Sequence, residues 1–120
     1  MAVVVGRSTE SLDVMNPRRV HDLMREHFPA FDAASVEWTN IVERAGPNIE
    51  LLAALLAKHI TAPEVLVEVH RKLGTRLPRE EAAGFISAHI GEGQIRVADR
   101  GFTSFLVIAQ NGVVTGWKRS

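Results

Sequence analysis

We predict an α+β fold for this 120-residue chain, with about five N-terminal helices packed on a C-terminal three-stranded antiparallel meander. Three observations support this prediction. Helix-capping residues and apolar residues at helical spacing recur up to residue 91. After Gly93 the apolar residues alternate instead, which is typical of strands. The pair Asn111-Gly112, a strong hairpin signal, then separates two apolar runs.

The first two helices are predicted from the residues at their ends. Asn16-Pro17 supplies an N-cap and a proline at the first helical position, and Pro29 ends the apolar stripe that follows. Asp32 is a suitable N-cap for a second helix, which places Trp38 on its apolar stripe and ends at Gly46-Pro47.

Residues 48–60 are apolar on nearly every side, so they predict a third helix that is central in the core or, as the alternative, partly covered by a partner. The next segment is ambiguous. A capping box of Thr61 and Glu64 favours a fourth helix, whereas the β-branched residues that follow favour a strand, so the choice for residues 64–73 stays open. A fifth helix is predicted for residues 78–90 because acidic residues occupy its first turn.

The meander is predicted from residues 94–99, 102–110 and 113–118. A two-residue loop at Asn111-Gly112 would pair Leu106 with Trp117. Both faces of the middle strand are apolar, so it should be central and covered by helices. Residues 2–5 are a candidate fourth strand.

Composition predicts one domain over residues 1–120, with a helical part at 8–91 and the β-meander at 94–118. Hydrophobic residues make up 46% of the chain and there is no cysteine, which disfavours disorder, a disulfide scaffold and a cysteine-ligated metal site. The chain has neither a basic start followed by a long apolar run nor a run of membrane-spanning length. We therefore expect a cytoplasmic protein without a membrane partner.

The charges balance to +0 but are unevenly distributed. Residues 1–46 carry five basic and seven acidic side chains, and residues 92–120 carry four and two. Nucleic-acid binders usually need a strongly basic surface, so this balance disfavours a nucleic-acid partner.

Motifs for catalysis or cofactor binding are absent from the sequence. No two of the five histidines have the helical spacing of a metal-binding pair. We assign no catalytic residue, cofactor or metal, and predict a protein-binding module of the immunity, antitoxin, inhibitor or adaptor type. Its partner would be another protein, and a homo-oligomer is left open.

Two groups of residues are candidates for that interface. The first is basic and lies in or after the ambiguous segment. The second lies in the predicted meander and includes two aromatic residues, which are common at protein interfaces. The candidates are Arg71, Lys72 and Arg76, and then Arg100, Phe102 and Trp117.

The alternative function is that of a small ribonuclease-like toxin or nucleic-acid-binding protein that uses the C-terminal sheet. Helices followed by an antiparallel sheet is a chain order similar to that of barnase-like and interferase-like ribonucleases. Cations would stabilise the phosphate and a histidine would act as acid or base. The residues for this role are His89, Arg96, Arg100, Thr103 and Lys118. A winged-helix DNA binder, with residues 78–90 as recognition helix, is a third alternative.

Overall fold

The computed structural model describes residues 16–119, and the candidate strand at residues 2–5 lies outside them. The described residues form three helices and eight strands. In chain order these are α1 (Pro17–His27), β1 (Thr39–Asn40), β2 (Val42–Glu43), β3 (Gly46–Pro47), α2 (Ile49–His59), β4 (Glu64–His70), β5 (Leu73–Pro78), α3 (Arg79–Ser87), β6 (Ile95–Ala98), β7 (Ser104–Ile108) and β8 (Val113–Lys118).

The α+β class is correct, but the prediction of about five helices on a three-stranded meander is wrong. A sheet dominates the fold, and its six strands lie in the order β1-β8-β7-β6-β4-β5 with every neighbouring pair antiparallel. Strands β2 and β3 form a separate two-stranded ribbon. Five of the strands therefore lie inside the stretch predicted to be helical.

The ambiguous segment is a strand because both of its faces are covered. Val65, Val67 and Val69 are buried on one face, and Leu66 and Glu68 on the other. A helix could not bury all five consecutive side chains, whereas a central strand suits β-branched residues. The segment after it, interpreted from the sequence as a helix end and a loop, is the edge strand β5.

The predicted second helix is also absent. Residues 33–36 form a turn, and β1 then adds to the sheet by pairing Thr39 with Val114. The backbone of Ile41 donates to Gly112 at 3.1 Å, and its carbonyl accepts from Asn48 at 2.7 Å. Sheet pairing and burial of Ile41 thus outweigh the helical stripe on which Trp38 was placed.

The β7–β8 hairpin has a different register from the predicted one. Ala109 donates to the carbonyl of Val113 at 2.8 Å, and Gly112, with φ of 89°, donates to Ala109 at 2.9 Å. This is a three-residue loop with a left-handed glycine, so the pairing moves by one residue. Leu106 therefore pairs with Gly116, and Trp117 pairs with Phe105 instead.

The three helices cover opposite faces of the sheet. Helices α2 and α3 cover one face, and Leu52, Leu56 and Ile86 lie in its core. Helix α1 covers the other face, where Val20 and Met24 pack against the sheet. Strand β7 is buried on both faces, which confirms its predicted central position. Among residues 16–119, no helix combines the length and apolar character that membrane crossing requires.

Candidate functional site

A buried carboxylate lies beneath α1. Glu68 on β4 is only 3% exposed, and its register partner on β6 is Arg96. The Nε atom of Arg96 donates to Oε1 of Glu68 at 2.9 Å, and Nη2 donates to the same oxygen. His21 of α1 contacts the other carboxylate oxygen through Nδ1. Both oxygens of the buried group therefore have donors, as a buried charge requires.

This contact fixes the orientation of the His21 ring. An ionised carboxylate can only accept hydrogen bonds, so Nδ1 of His21 carries a proton and Nε2 remains outside the contact. The His21 side chain is 25% exposed. The Arg96 guanidinium also lies over the ring of Phe28, at 5.6 Å from its centroid, which holds the arginine in place.

His21 lines a depression of about 440 Å³ between α1 and the β4–β5 turn, which we call the α1 cleft. Most of its other lining residues are cations. The four cations are Arg18, Arg25, Arg71 and Lys72, and the remaining residue is the acidic Asp22. Asp22 lies 3.8 Å from Arg25. Among residues 16–119, no carboxylate forms an ion pair with Arg18, Arg71 or Lys72.

The opposite flank of α1 faces the β6–β7 turn. Arg19, Leu23 and His27 share a second depression there with Arg100 and the backbone around it. We call the surface formed by α1 and these two turns the α1 side. Among residues 16–119, six cations line its two depressions, and they come from three separate parts of the chain: Arg18, Arg19, Arg25, Arg71, Lys72 and Arg100.

The structure separates the six candidate interface residues. Arg71 and Lys72 lie in the α1 cleft, and Arg100 lies across α1 from them. The other three are packed within the fold. Phe102 is buried, Trp117 packs against Phe28, Phe31 and Phe105, and Arg76 lies beside Glu64 with its side chain largely covered.

The residues of the ribonuclease-like alternative do not form one site. His89, after α3, contacts Glu92 at 3.0 Å, whereas Arg96 is held by Glu68 on the opposite face of the sheet. Thr103 donates its hydroxyl to Asp99 at 2.6 Å. Arg100 belongs to the turn beside α1, and Lys118 lies near His59 on the face of α2.

The imidazole of His59 packs against Gly116 on the sheet, a contact that the sequence does not predict. A Cβ on Gly116 would lie 2.5 Å from Cγ of His59, so only glycine leaves room for the imidazole. Burial lowers the pKa of His59, and the charges of Lys58 and Lys118 lower it further. The lowered pKa favours the neutral form of the imidazole.

Sequence reasoning missed the centre of the α1 cleft. Glu68 interrupts the run VLVEVH, and a carboxylate within a strand that is buried on both faces needs a cationic partner. That signal was hidden while residues 64–73 could still be a helix. His21 gives no comparable signal, since its partner lies on a strand far along the chain.

The described residues contain no group of three or more His, Asp or Glu side chains placed to hold a metal ion. The chain matches no protein-family model, no curated protein and no solved structure.

Proposed function

We propose that this protein is a small binding module that recognises an acidic protein partner through the α1 side. One observation carries the proposal: α1 brings its own three arginines beside Arg71, Lys72 and Arg100. Cations from three distant segments thereby share one surface of a chain whose net charge is +0. Such a concentration of one sign attracts and orients a partner of the opposite sign.

The opposite surface supports this assignment because it is richer in acid. Helices α2 and α3 and the loop after α3 expose four glutamates there: Glu50, Glu80, Glu81 and Glu92. A neutral protein with separated charges has a preferred orientation toward an acidic partner. The same separation disfavours self-association through two copies of the α1 side, because like charges would meet.

A protein partner fits the α1 side better than a nucleic acid does. Asp22 and Glu26 interrupt the cations along α1, whereas phosphate backbones are usually bound by long, uninterrupted basic stripes. The residues of the ribonuclease-like alternative also lie on different faces of the sheet. The module would act by binding, in the manner of immunity, antitoxin, inhibitor or adaptor proteins, and we propose a cytoplasmic site of action.

Selection from a random peptide library tests this proposal and requires no assumption about which protein the partner is. We expect enrichment of peptides rich in Asp and Glu, with affinities that fall as salt rises. The double substitution Arg71→Ala and Lys72→Ala should lower the affinity for these peptides about tenfold or more, because charge-assisted contacts are lost. The matched control removes the exposed cations Arg44 and Lys58, which lie outside the α1 side, and should leave affinity unchanged.

Two results would contradict the proposal. The first is a set of selected peptides without excess acid, or with equal affinity for both double variants. The second is saturable binding of a short single-stranded RNA that is tighter than peptide binding at physiological salt. The second result would assign the α1 side to nucleic acid instead.

A further inference from the structure

We propose that the α1 cleft binds a phosphate monoester, with Nε2 of His21 contacting a phosphoryl oxygen. This inference rests on the proposed function, because the monoester is taken to be a phosphorylated serine or threonine of the acidic partner. It adds a chemical requirement that acidity alone does not impose. The partner must present a tetrahedral dianion to the cleft.

The charge of the α1 cleft exceeds what one carboxylate can balance. Among residues 16–119, four arginine or lysine side chains line the depression, and Asp22 is the one acid that lines it with them. A carboxylate brings one negative charge and two oxygens, whereas a phosphate monoester brings nearly two charges and three strong acceptors. Guanidinium groups also match phosphoryl oxygens in pairs, which favours this ligand where several arginines converge.

The shape of the surface agrees with a single compact anionic group. The cations of the cleft line one depression of about 440 Å³, and they come from two short segments, residues 18–25 and 71–72. A nucleic-acid strand presents one charge per phosphodiester and needs cations spread along its path. A monoester on one side chain places its charge at one point instead.

The buried pair of Glu68 and Arg96 gives His21 a defined role in the cleft. Arg96 balances the charge of Glu68, and Glu68 then holds Nδ1 of His21. The ring is thereby oriented, and the imidazolium form of a histidine held in this way can donate from Nε2 to the ligand while Nδ1 stays on Glu68. The charged groups around the ring come from α1, the β4–β5 turn and the sheet: Arg18, Asp22, Arg25, Arg71, Lys72, Glu68 and Arg96.

The test compares three peptides of one acidic sequence that differ at a single position, which is phosphoserine, glutamate or serine. Calorimetric titration of the whole protein should give the phosphoserine peptide an advantage of about tenfold or more over glutamate. Arg71→Ala with Lys72→Ala should abolish that advantage. Arg19→Ala with Arg100→Ala removes the same charge from the other flank of α1 and should preserve it.

His21→Asn separates binding from folding. The asparagine amide can still donate to Glu68 from near the position of Nδ1, but nothing reaches the position of Nε2. We expect unchanged thermal unfolding and an about tenfold loss of phosphoserine-peptide affinity. The control is His89→Asn, after α3 and outside the α1 side, which should bind like the parent protein. In the parent protein, the ¹⁵N signal of His21 Nε2 should shift on binding, which gives a readout independent of any variant.

The outcomes separate the two proposals. Equal affinity for phosphoserine and glutamate peptides, both dependent on Arg71 and Lys72, would overturn the monoester site and leave the proposed function standing. Failure of every acidic peptide to bind would overturn both. An unmoved His21 signal, or full affinity in His21→Asn, would overturn the role of His21. Displacement of the phosphopeptide by inorganic phosphate or free phosphoserine would support the site and show that a small phosphate suffices.

Discussion

Glu68 and Arg96 are register partners on neighbouring strands, and the carboxylate of one accepts two hydrogen bonds from the guanidinium of the other. The pair lies on the sheet face covered by α1, and His21 of that helix joins it from above. One ion pair in the sheet therefore links the core of the fold to the α1 cleft. Removing this ion pair should change two measurable quantities, the free energy of unfolding and the affinity of the α1 cleft for its ligand.

Glu68→Ala should destabilise the protein by about 2 kcal/mol, because Arg96 and His21 lose their common acceptor. Both partners are partly exposed, so water compensates some of the loss. The combined change Glu68→Met with Arg96→Met should recover most of the stability, since matched apolar residues need no partner. Urea unfolding measures both effects. If Glu68→Ala is as stable as the parent protein, the role assigned to the ion pair is contradicted.

Gly116→Ala should destabilise the protein by about 2 kcal/mol, because the new Cβ would overlap the imidazole of His59. Gly84→Ala is the matched control. Gly84 is an exposed residue of α3 with open space around its Cα, so alanine there should stabilise by up to about 1 kcal/mol through helix propensity.

His59→Ala should relieve the overlap created by Gly116→Ala. The cost of the alanine at 116 should therefore be smaller in the His59→Ala background than in the parent protein, as a double-mutant cycle measures. Additive costs would show that His59 does not determine the need for glycine at 116.

Lys118→Met should raise the pKa of His59, because burial and the neighbouring charges of Lys58 and Lys118 hold that pKa below its usual value. A depressed histidine pKa means that the unfolded chain binds the proton more readily. The contribution of His59 to the free energy of unfolding is thus fully present above the ordinary histidine pKa, and it declines as the pH falls below that value. NMR titration of His59 checks the shift, with Lys72→Met as the control, because Lys72 lies in the α1 cleft on the other face of the sheet. An unchanged pKa in Lys118→Met would contradict the coupling.

Thr103→Val should raise the pKa of Asp99 and destabilise the protein by about 1 kcal/mol at neutral pH. Burial by itself would raise this pKa, but hydrogen bonds from the Thr103 hydroxyl and from the backbone of Thr103 and Ser104 outweigh it and lower the pKa. A depressed carboxyl pKa contributes stability above its unfolded value, and that stability is lost as pH falls through the folded pKa. The difference between variant and parent should therefore shrink in acid. A constant difference across the acid range would count against this account.

Local sequence patterns predict secondary structure correctly where the residues involved belong to one helix or strand. Asn16 caps α1 by accepting from the backbone N–H of Arg19 at 2.8 Å, as predicted. Asn48, which the sequence places inside the third helix, instead caps α2 by accepting from the backbone N–H of Leu51 at 3.0 Å. The three C-terminal strands also form where alternation, an apolar run and the Asn111-Gly112 hairpin signal predict them. Local patterns failed where partners are distant. Strand β4 is defined by burial between β5 and β6, and this outweighs the capping box at Thr61.

Some residues of the candidate site can be predicted from neighbours along the chain, and others depend on how distant elements pack. Arg71 and Lys72 were identified because a cluster of like charges is visible along the chain. Arg18, Arg25 and His21 join them only because α1 lies over the sheet beside the β4–β5 turn. The sequence predicts Phe102 and Trp117 as interface aromatics, but the shifted hairpin register places Trp117 beside Phe105 in an aromatic cluster.

The most direct measurement of the central claim is a two-dimensional ¹H–¹⁵N NMR titration of the whole protein with an acidic phosphoserine peptide. The account predicts saturable shifts concentrated at residues 18–25 and 70–73, and weaker binding as salt rises. Shifts concentrated on α2, α3 or the β1–β8 edge, with the α1 cleft unchanged, would contradict it.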